Sequence, residues 1–299
     1  MKFEFAMARS VCERVVILEY AFASALLACV SLSASAQQTL LRSSEADTLA
    51  GGRGFTASTP AVHSNLFRPR DLAVAAGVAT IVVGLMPLDR SIERRFQRPG
   101  LQSDKSLSRA ADGFSALGDP GSIAFSAAAY FSGLATHSRK VASLGMHTGE
   151  AIVLGGVIAE ALKGSFGRQR PRVDTTQVHN FRPGKGFSSD DFTSFPSGDV
   201  TLAFAAATAA SREAARSWPG AARYVALAAY GSAAMVAVSR LYQNEHWASD
   251  VVAGAAVGTL SGTLFDRYNV ARPDNIFNRI FLPAAIVPQR NGVTVTWSL

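Results

Sequence analysis

Cysteine is almost missing from this chain. Its 299 residues include two, Cys12 and Cys29, both near the start. If that segment is removed, neither a disulfide nor a thiolate metal site is open to the remainder. Charge is also sparse: 17% of residues are Asp, Glu, Lys or Arg, whereas 48% are apolar. That composition excludes a disordered chain and leaves a large buried core or a membrane-embedded one. Tandem repeats and low-complexity tracts are absent. Negative charge is the minority sign. With 29 Lys and Arg against 22 Asp and Glu, the net charge is +7, which favours anionic partners such as acidic lipid headgroups or phosphorylated substrates. Aromatic residues do not interleave with the basic cluster, so the stacking platforms a nucleic-acid binder needs are lacking.

What is present begins with a leader. Lys2, Arg9 and Arg14, offset by Glu4, Glu13 and Glu19, precede an apolar run from Tyr20 to Leu32 and then Ala34-Ser35-Ala36. Residues 1–36 therefore read as a cleaved secretory signal. Its run is short for a membrane span; a retained N-terminal anchor is the second reading. Residues 37–70 form a polar lead-in. From 71 to 268 the pattern is helical, with apolar segments at Leu72–Leu88, Gly121–Thr136, Ala142–Lys163, Val200–Ala210, Tyr224–Ser239 and Val251–Phe265. The expectation is an all-α bundle of about six core helices. Gly254, Gly258 and Gly262 share a face, as do Gly145 and Gly149, which lets helix backbones approach closely. Residues 269–299 end in Phe281–Val287, Asn291-Gly292 and Val293–Trp297, a β-hairpin pattern.

Three segments carry chemistry. Lys163 and Arg170-Pro171 are separated by six residues, and from Lys163 to Lys185 there are six basic residues and one acidic, Asp174. Guanidinium forks match phosphate oxygens, and a lysine adds a point charge; the bland alternative pairs Lys163 with Glu160 one turn back. Pro196-Ser197-Gly198-Asp199 precedes the apolar helix at Val200. Gly198 lets backbone N–H groups approach an anion at a helix N-terminus, with Ser197 as a further donor; the bland alternative is ordinary capping. Arg240, His246 and Asp250 form the third segment. On a helix, His246 and Asp250 share a face, so the carboxylate can accept from one ring nitrogen and leave the other free as nucleophile.

Taken in order, Lys-x6-Arg-Pro, Pro-Ser-Gly and Ser-Arg-x5-His-x3-Asp resemble the signature of the type 2 phosphatidic acid phosphatase (PAP2) and vanadium haloperoxidase superfamily. The resemblance covers roughly residues 71–268. It implies that Lys163, Arg170 and Arg240, with Ser197 and the Gly198 amide, bind a phosphoryl group. It further implies that His246 attacks phosphorus, that Asp250 holds the His246 tautomer, and that phosphate monoesters or pyrophosphates, lipid phosphates included, are hydrolysed. No cofactor and no metal is expected, since three cations and a helix terminus can stabilise the transition state; vanadate would bind as a phosphate mimic. One position departs from the family. Its second motif ends in a histidine that acts as general acid, and here Asp199 stands there. A free carboxylic acid is ionised at neutral pH. Three outcomes stay open: an acid phosphatase using Asp199, a slower enzyme, or a phosphate binder without turnover. His179 is a candidate substitute acid. A vanadium-dependent haloperoxidase is the alternative activity.

Location turns on helix length. Val200–Ala210 is shorter than a spanning helix, and Glu150 and Glu160 are costly in lipid. Counting crossings from an exported residue 37 also puts the loop after Lys163 on the cytoplasmic side. These arguments favour an exported, periplasmic or peripherally membrane-associated domain, with an integral inner-membrane protein as the alternative. Oligomeric state is not encoded in any pattern.

Overall fold

The computed structural model describes residues 66–282, 285–289 and 292–296. The expected leader and most of the lead-in lie outside the described residues, as do Asn291 and Trp297 of the hairpin pattern. Among the described residues, ten α-helices run in order: α1 (Pro69–Leu85), α2 (Asp89–Phe96), α3 (Pro99–Gln102), α4 (Lys105–Ser115), α5 (Gly121–Ala135), α6 (Arg139–Phe166), α7 (Gly198–Ser217), α8 (Ala222–Tyr242), α9 (Ala248–Ala271) and α10 (Ile276–Phe281). Strands β1 (Ala285–Gln289) and β2 (Gly292–Thr296) pair antiparallel, with Ala285 opposite Thr296 and Gln289 opposite Gly292.

Local chemistry fixes the helix ends. Asp104 caps α4 by accepting from the amides of Ser106 and Leu107; a side-chain acceptor there satisfies N–H groups that the helix cannot. Pro69 opens α1 at a position that needs no N–H. Helix α6 stops at Gly167, whose φ of 56° is left-handed and whose Cα faces the Arg182 carbonyl, so a residue with a Cβ is excluded twice over.

Helix α7 is the hub. It packs against α6, α8 and α9, and Val200, Phe204, Ala205 and Thr201 on it are fully buried. The tightest seam is with α9. A Cβ at Gly254 would stand 2.5 Å from the Ser197 carbonyl oxygen, and one at Gly258 would stand 2.2 Å from that of Thr201. At Gly262 it would reach Thr208 Cβ at 2.7 Å. These glycines let two backbones touch, gaining dispersion along the whole seam. Gly145 does the same for α6 against α5, where Ser126 Oγ donates to the Gly145 carbonyl at 2.8 Å.

Two expectations change. Helix α7 does not end at Ala210 but runs on to Ser217, because the charges that follow are paired inside the bundle. Glu213 accepts from His147 Nδ1 at 2.9 Å and from Arg216 at 2.7 Å, and Arg212 reaches Asp266 at 3.0 Å. Glu150, counted as costly in lipid, turns inward and accepts from Asn269 Nδ2 at 2.7 Å. The short helix and Glu150 therefore no longer count against a membrane location, whereas Glu160 stays exposed. Among the described residues, four stretches are long and apolar enough to cross a membrane: Pro69–Phe96, Arg139–Phe166, Ala222–Tyr242 and Ala248–Ala271. Their outer faces expose Leu72, Val83, Val153, Val157 and Leu227, each more than 60% accessible. An apolar belt of that extent marks contact with a membrane or a partner.

The α7–α9 seam predicts a sharp contrast. Gly258→Val should cost roughly 2–3 kcal/mol or more through overpacking, whereas Gly77→Ala, in open space on α1, should be neutral or stabilise by up to ~1 kcal/mol. Thermal unfolding in detergent would measure both.

Candidate active site

Four helix termini meet at one end of the bundle. Because α6, α7, α8 and α9 alternate in direction, the C-terminal turns of α6 and α8 lie beside the N-termini of α7 and α9. The first pair supplies Lys163 and Arg240, and the second supplies Ser197-Gly198 and His246. The 167–197 loop folds over this end and adds Arg168 and Arg170.

His246 sits in the turn before α9 and is buried. Its pKa is held well below the ordinary histidine value. Burial is the largest cause, followed by the positive charge of Arg170, and Lys163 and Arg240 add to it. Cations from three chain segments thus act on one imidazole. The ring is neutral near pH 7. Nδ1 lies 2.7 Å from the Ser194 carbonyl oxygen; a carbonyl can only accept, so Nδ1 carries the hydrogen and Nε2 keeps its lone pair.

The phosphate-binding candidates lie at the same end of the bundle, three of them near enough to act on the imidazole by charge. Lys163 Nζ bonds Glu160 at 2.6 Å, as the bland reading expects, and Glu160 is largely exposed, so that pair contributes little. The same ammonium lies over Gly198, where a Cβ would stand 2.8 Å from it. A side chain at that position would push the ammonium aside. Arg170 is braced by Glu245 Oε2 at 2.7 Å, Thr193 Oγ1 at 2.9 Å and Asp190. Arg240 donates through Nη1 to Asp199 Oδ2 at 3.2 Å, and through Nη2 to Ser115 and Gln243. Ser197 is the N-cap residue of α7, yet its side chain makes no capping bond. Its Oγ and the Nε of Arg240 are both buried without a hydrogen-bond partner among the described residues. Buried donors are rarely left unpaired, and here two of them border the same cations, a geometry suited to an oxyanion.

The expected His246–Asp250 hydrogen bond is not formed. Helix α9 starts at Ala248, so His246 precedes it and the shared-face geometry does not arise. Asp250 Oδ2 accepts instead from Ser194 Oγ at 2.6 Å and from the Trp247 amide at 2.9 Å. Asp250 Oδ1 accepts from Arg168 Nη1 at 2.5 Å. His179 is also placed elsewhere. It is exposed and lines a cleft with Met86, Pro87 and Arg90, among others, that includes none of the phosphate-binding candidates.

Sequence reasoning passed over the residue beneath the site. Arg168 is fully buried. It donates to Asp89 Oδ2 at 2.8 Å, Ser249 Oγ at 2.7 Å and the Val178 carbonyl at 2.9 Å, as well as to Asp250. Its guanidinium lies 5.2 Å from the Phe181 ring centre and 5.6 Å from that of Trp247, a cation–π setting. Asp89 Oδ1 accepts from the Ser249 amide at 2.8 Å. The one signal available was Asp89 itself, a carboxylate at the end of an apolar run. Glu245, which braces Arg170, carried no signal.

Comparison with known proteins places this geometry. The family model of the PAP2 superfamily matches residues 144–274, a stretch that contains Lys163, Arg170, Ser197, Gly198, Asp199, Arg240, His246 and Asp250. Among curated proteins, the chain is 38% identical over 112 residues to a lipid A 1-phosphatase of Porphyromonas gingivalis. That match covers 38% of this chain and 20% of the relative, so the chain spans about a fifth of that protein's length. Among solved structures, the chain is similar to a transmembrane PAP2 type phosphatidylglycerolphosphate phosphatase from Bacillus subtilis. The TM-score is 0.48 at 16% identity, over 69% of this chain and 98% of the other.

The buried charge cluster gives a prediction. Replacing Arg168 with Met strands Asp89 and Asp250 without their counter-ion, and breaking a fully buried pair in this way costs about 3–5 kcal/mol. Arg168→Lys, which cannot reproduce the fork, should recover only part of that. Denaturant unfolding of both variants checks it.

Proposed function

We propose that this chain is a PAP2-type phosphatase that hydrolyses phosphate monoesters or pyrophosphates, lipid phosphates among them, through a phosphohistidine at His246. The observation that carries the reading is the convergence of Lys163, Arg170 and Arg240 on a neutral imidazole whose Nε2 is free. Nε2 attacks phosphorus, the P–N bond forms, and the bond to the leaving oxygen breaks with its electron pair going to that oxygen. Water then attacks the phosphohistidine, the P–N bond breaks, and inorganic phosphate leaves. Arg170, Lys163 and Arg240 hold the equatorial oxygens, joined by Ser197 Oγ and the Gly198 amide at the positive end of α7. In this reading the protein's own cations supply the charge stabilisation and no metal takes part.

Asp199 occupies the position of the leaving-group acid, yet its Oδ2 already accepts from Arg240. It offers that oxygen to a cation rather than a proton to a departing alkoxide. The preferred leaving groups are therefore those that depart without much protonation, such as phosphoanhydrides. The same feature argues against the vanadium haloperoxidase reading, where the histidine at this position assists peroxide. We place α1, α6, α8 and α9 in a membrane, which promotes the integral alternative over an exported soluble domain. The named activity of the curated relative supports a phosphorylated lipid as substrate.

Incubation with a radiolabelled phosphate donor should trap label on His246, and His246→Ala should lower kcat by roughly a thousandfold or more; unlabelled protein with undiminished turnover in the variant would end the proposal. The lowered pKa has a signed consequence. Nε2 is lost as a nucleophile only on protonation, so kcat/KM should hold as pH falls through 6.5 and drop only well below it. With a series of aryl phosphates, the rate should depend steeply on leaving-group acidity, and Asp199→His should flatten that dependence while raising the rate for the poorest leaving groups.

A further inference from the structure

Nothing so far assigns a role to the side chain of Ser194, the residue two places before Pro196. Ser194 is fully buried and makes three hydrogen bonds in different directions. Its backbone carbonyl accepts the Nδ1 hydrogen of His246 at 2.7 Å. Its hydroxyl donates to Asp250 Oδ2 at 2.6 Å, the oxygen that also accepts from the Trp247 amide at 2.9 Å. Its own amide donates to the Arg168 carbonyl at 3.0 Å. Residue 194 is thus fastened to the first-motif loop, to the nucleophile and to the helix that follows the nucleophile.

We propose that Ser194 is the positioning residue of the proposed phosphotransfer, and that Asp250 governs His246 through the Ser194 hydroxyl rather than by touching the ring. This rests on the phosphohistidine reading above. A carbonyl acceptor fixes the Nδ1–H tautomer only while it stays in line with the ring, and peptide planes on loops rotate easily. The hydroxyl bond to a fully buried carboxylate stops that rotation. Asp250 is itself immobilised by Arg168, so the register passes from the buried ion cluster to Ser194 and from there to the imidazole. Ser194 also lies three residues before Ser197. The same anchor therefore sets the distance between the nucleophile and the N-terminus of α7 that receives the phosphate. Misplacement of a reacting group by about 1 Å is worth roughly a hundredfold in rate.

Ser194→Ala keeps the carbonyl and removes only the anchor. Its kcat is expected to fall roughly tenfold to a hundredfold, while KM and inhibition by inorganic phosphate stay within about threefold, because the cations that bind phosphate are untouched. Ser194→Thr, which restores a hydroxyl, should recover part of the loss. Asp250→Asn combined with Ser194→Ala should be no worse than Asp250→Asn alone, since both break one chain of contacts. Nitrogen NMR of histidine-labelled protein gives a readout independent of turnover: His246 should be the pure Nδ1–H tautomer in the parent and a mixture in Ser194→Ala. A variant with unaltered kcat and tautomer, or one whose phosphate inhibition weakens as much as its kcat falls, would overturn the assignment. If the parent forms no phosphohistidine, the functional reading fails, while the tautomer comparison still decides the role of Ser194.

Discussion

A single cation, buried between two carboxylates, holds this end of the molecule together. Arg168 bridges Asp89, at the first residue of α2, and Asp250, in the first turn of α9. Taking one guanidinium and two carboxylates out of water is expensive, and only near-complete hydrogen bonding offsets it. The cluster provides that bonding with Ser249, Ser194, the Trp247 amide and the Val178 carbonyl. Such a cluster tolerates few alternative arrangements. Its value here lies in register: a loop of some thirty residues, 167–197, holds only two one-turn 3-10 helices, Lys185–Phe187 and Asp190–Phe192, and one isolated bridge, Arg168 with Phe181, and it returns to α7 with Arg170 in a defined place.

The catalytic reading needs that definition. Arg170 and Lys163 are long, flexible cations that gain little from exposed partners. Lys163 is braced by Glu160, and Arg170 by Glu245 and Asp190. Burial first, and then the charges of Arg170, Lys163 and Arg240, keep the His246 ring unprotonated, so in the proposed reaction the nucleophile starts in its reactive form.

Much of this was legible from residues alone. Apolar runs gave α1, α5, α6 and α8 to within three residues at each end, while α7 and α9 run seven and six residues further than their runs; the spacing of glycines gave the close-approach faces of α6 and α9 but not their partners, because a missing side chain is a local statement about distance. Lys163, Arg170, Gly198, Arg240 and His246 were legible as a set and do converge. What failed was anything that depended on satisfied charge at a distance. Ser211-Arg212-Glu213 looked like a helix end until His147 and Asp266 were placed against it. Glu150 looked hostile to lipid until Asn269 faced it. The i,i+4 spacing of His246 and Asp250 suggested direct contact because the helix start could not be fixed; a shift of two residues in that start replaced the contact with one through Ser194. Arg168 read as one more basic residue in a basic loop, since burial is not a property of the loop's composition.

Every chemically relevant side chain belongs to the terminal turn of a helix or to the loop covering that end. Residues along the bodies of α5, α6 and α8 contribute length and an apolar exterior but no reacting group. The two ends of the bundle are therefore under unequal constraint. One residue added within α6 just ahead of Lys163 would swing its ammonium by about 100° around the axis, off Gly198. The same addition in the 136–138 connection, at the opposite end, would be absorbed by a loop. Variation in length can accumulate on one side of this protein without disturbing the other.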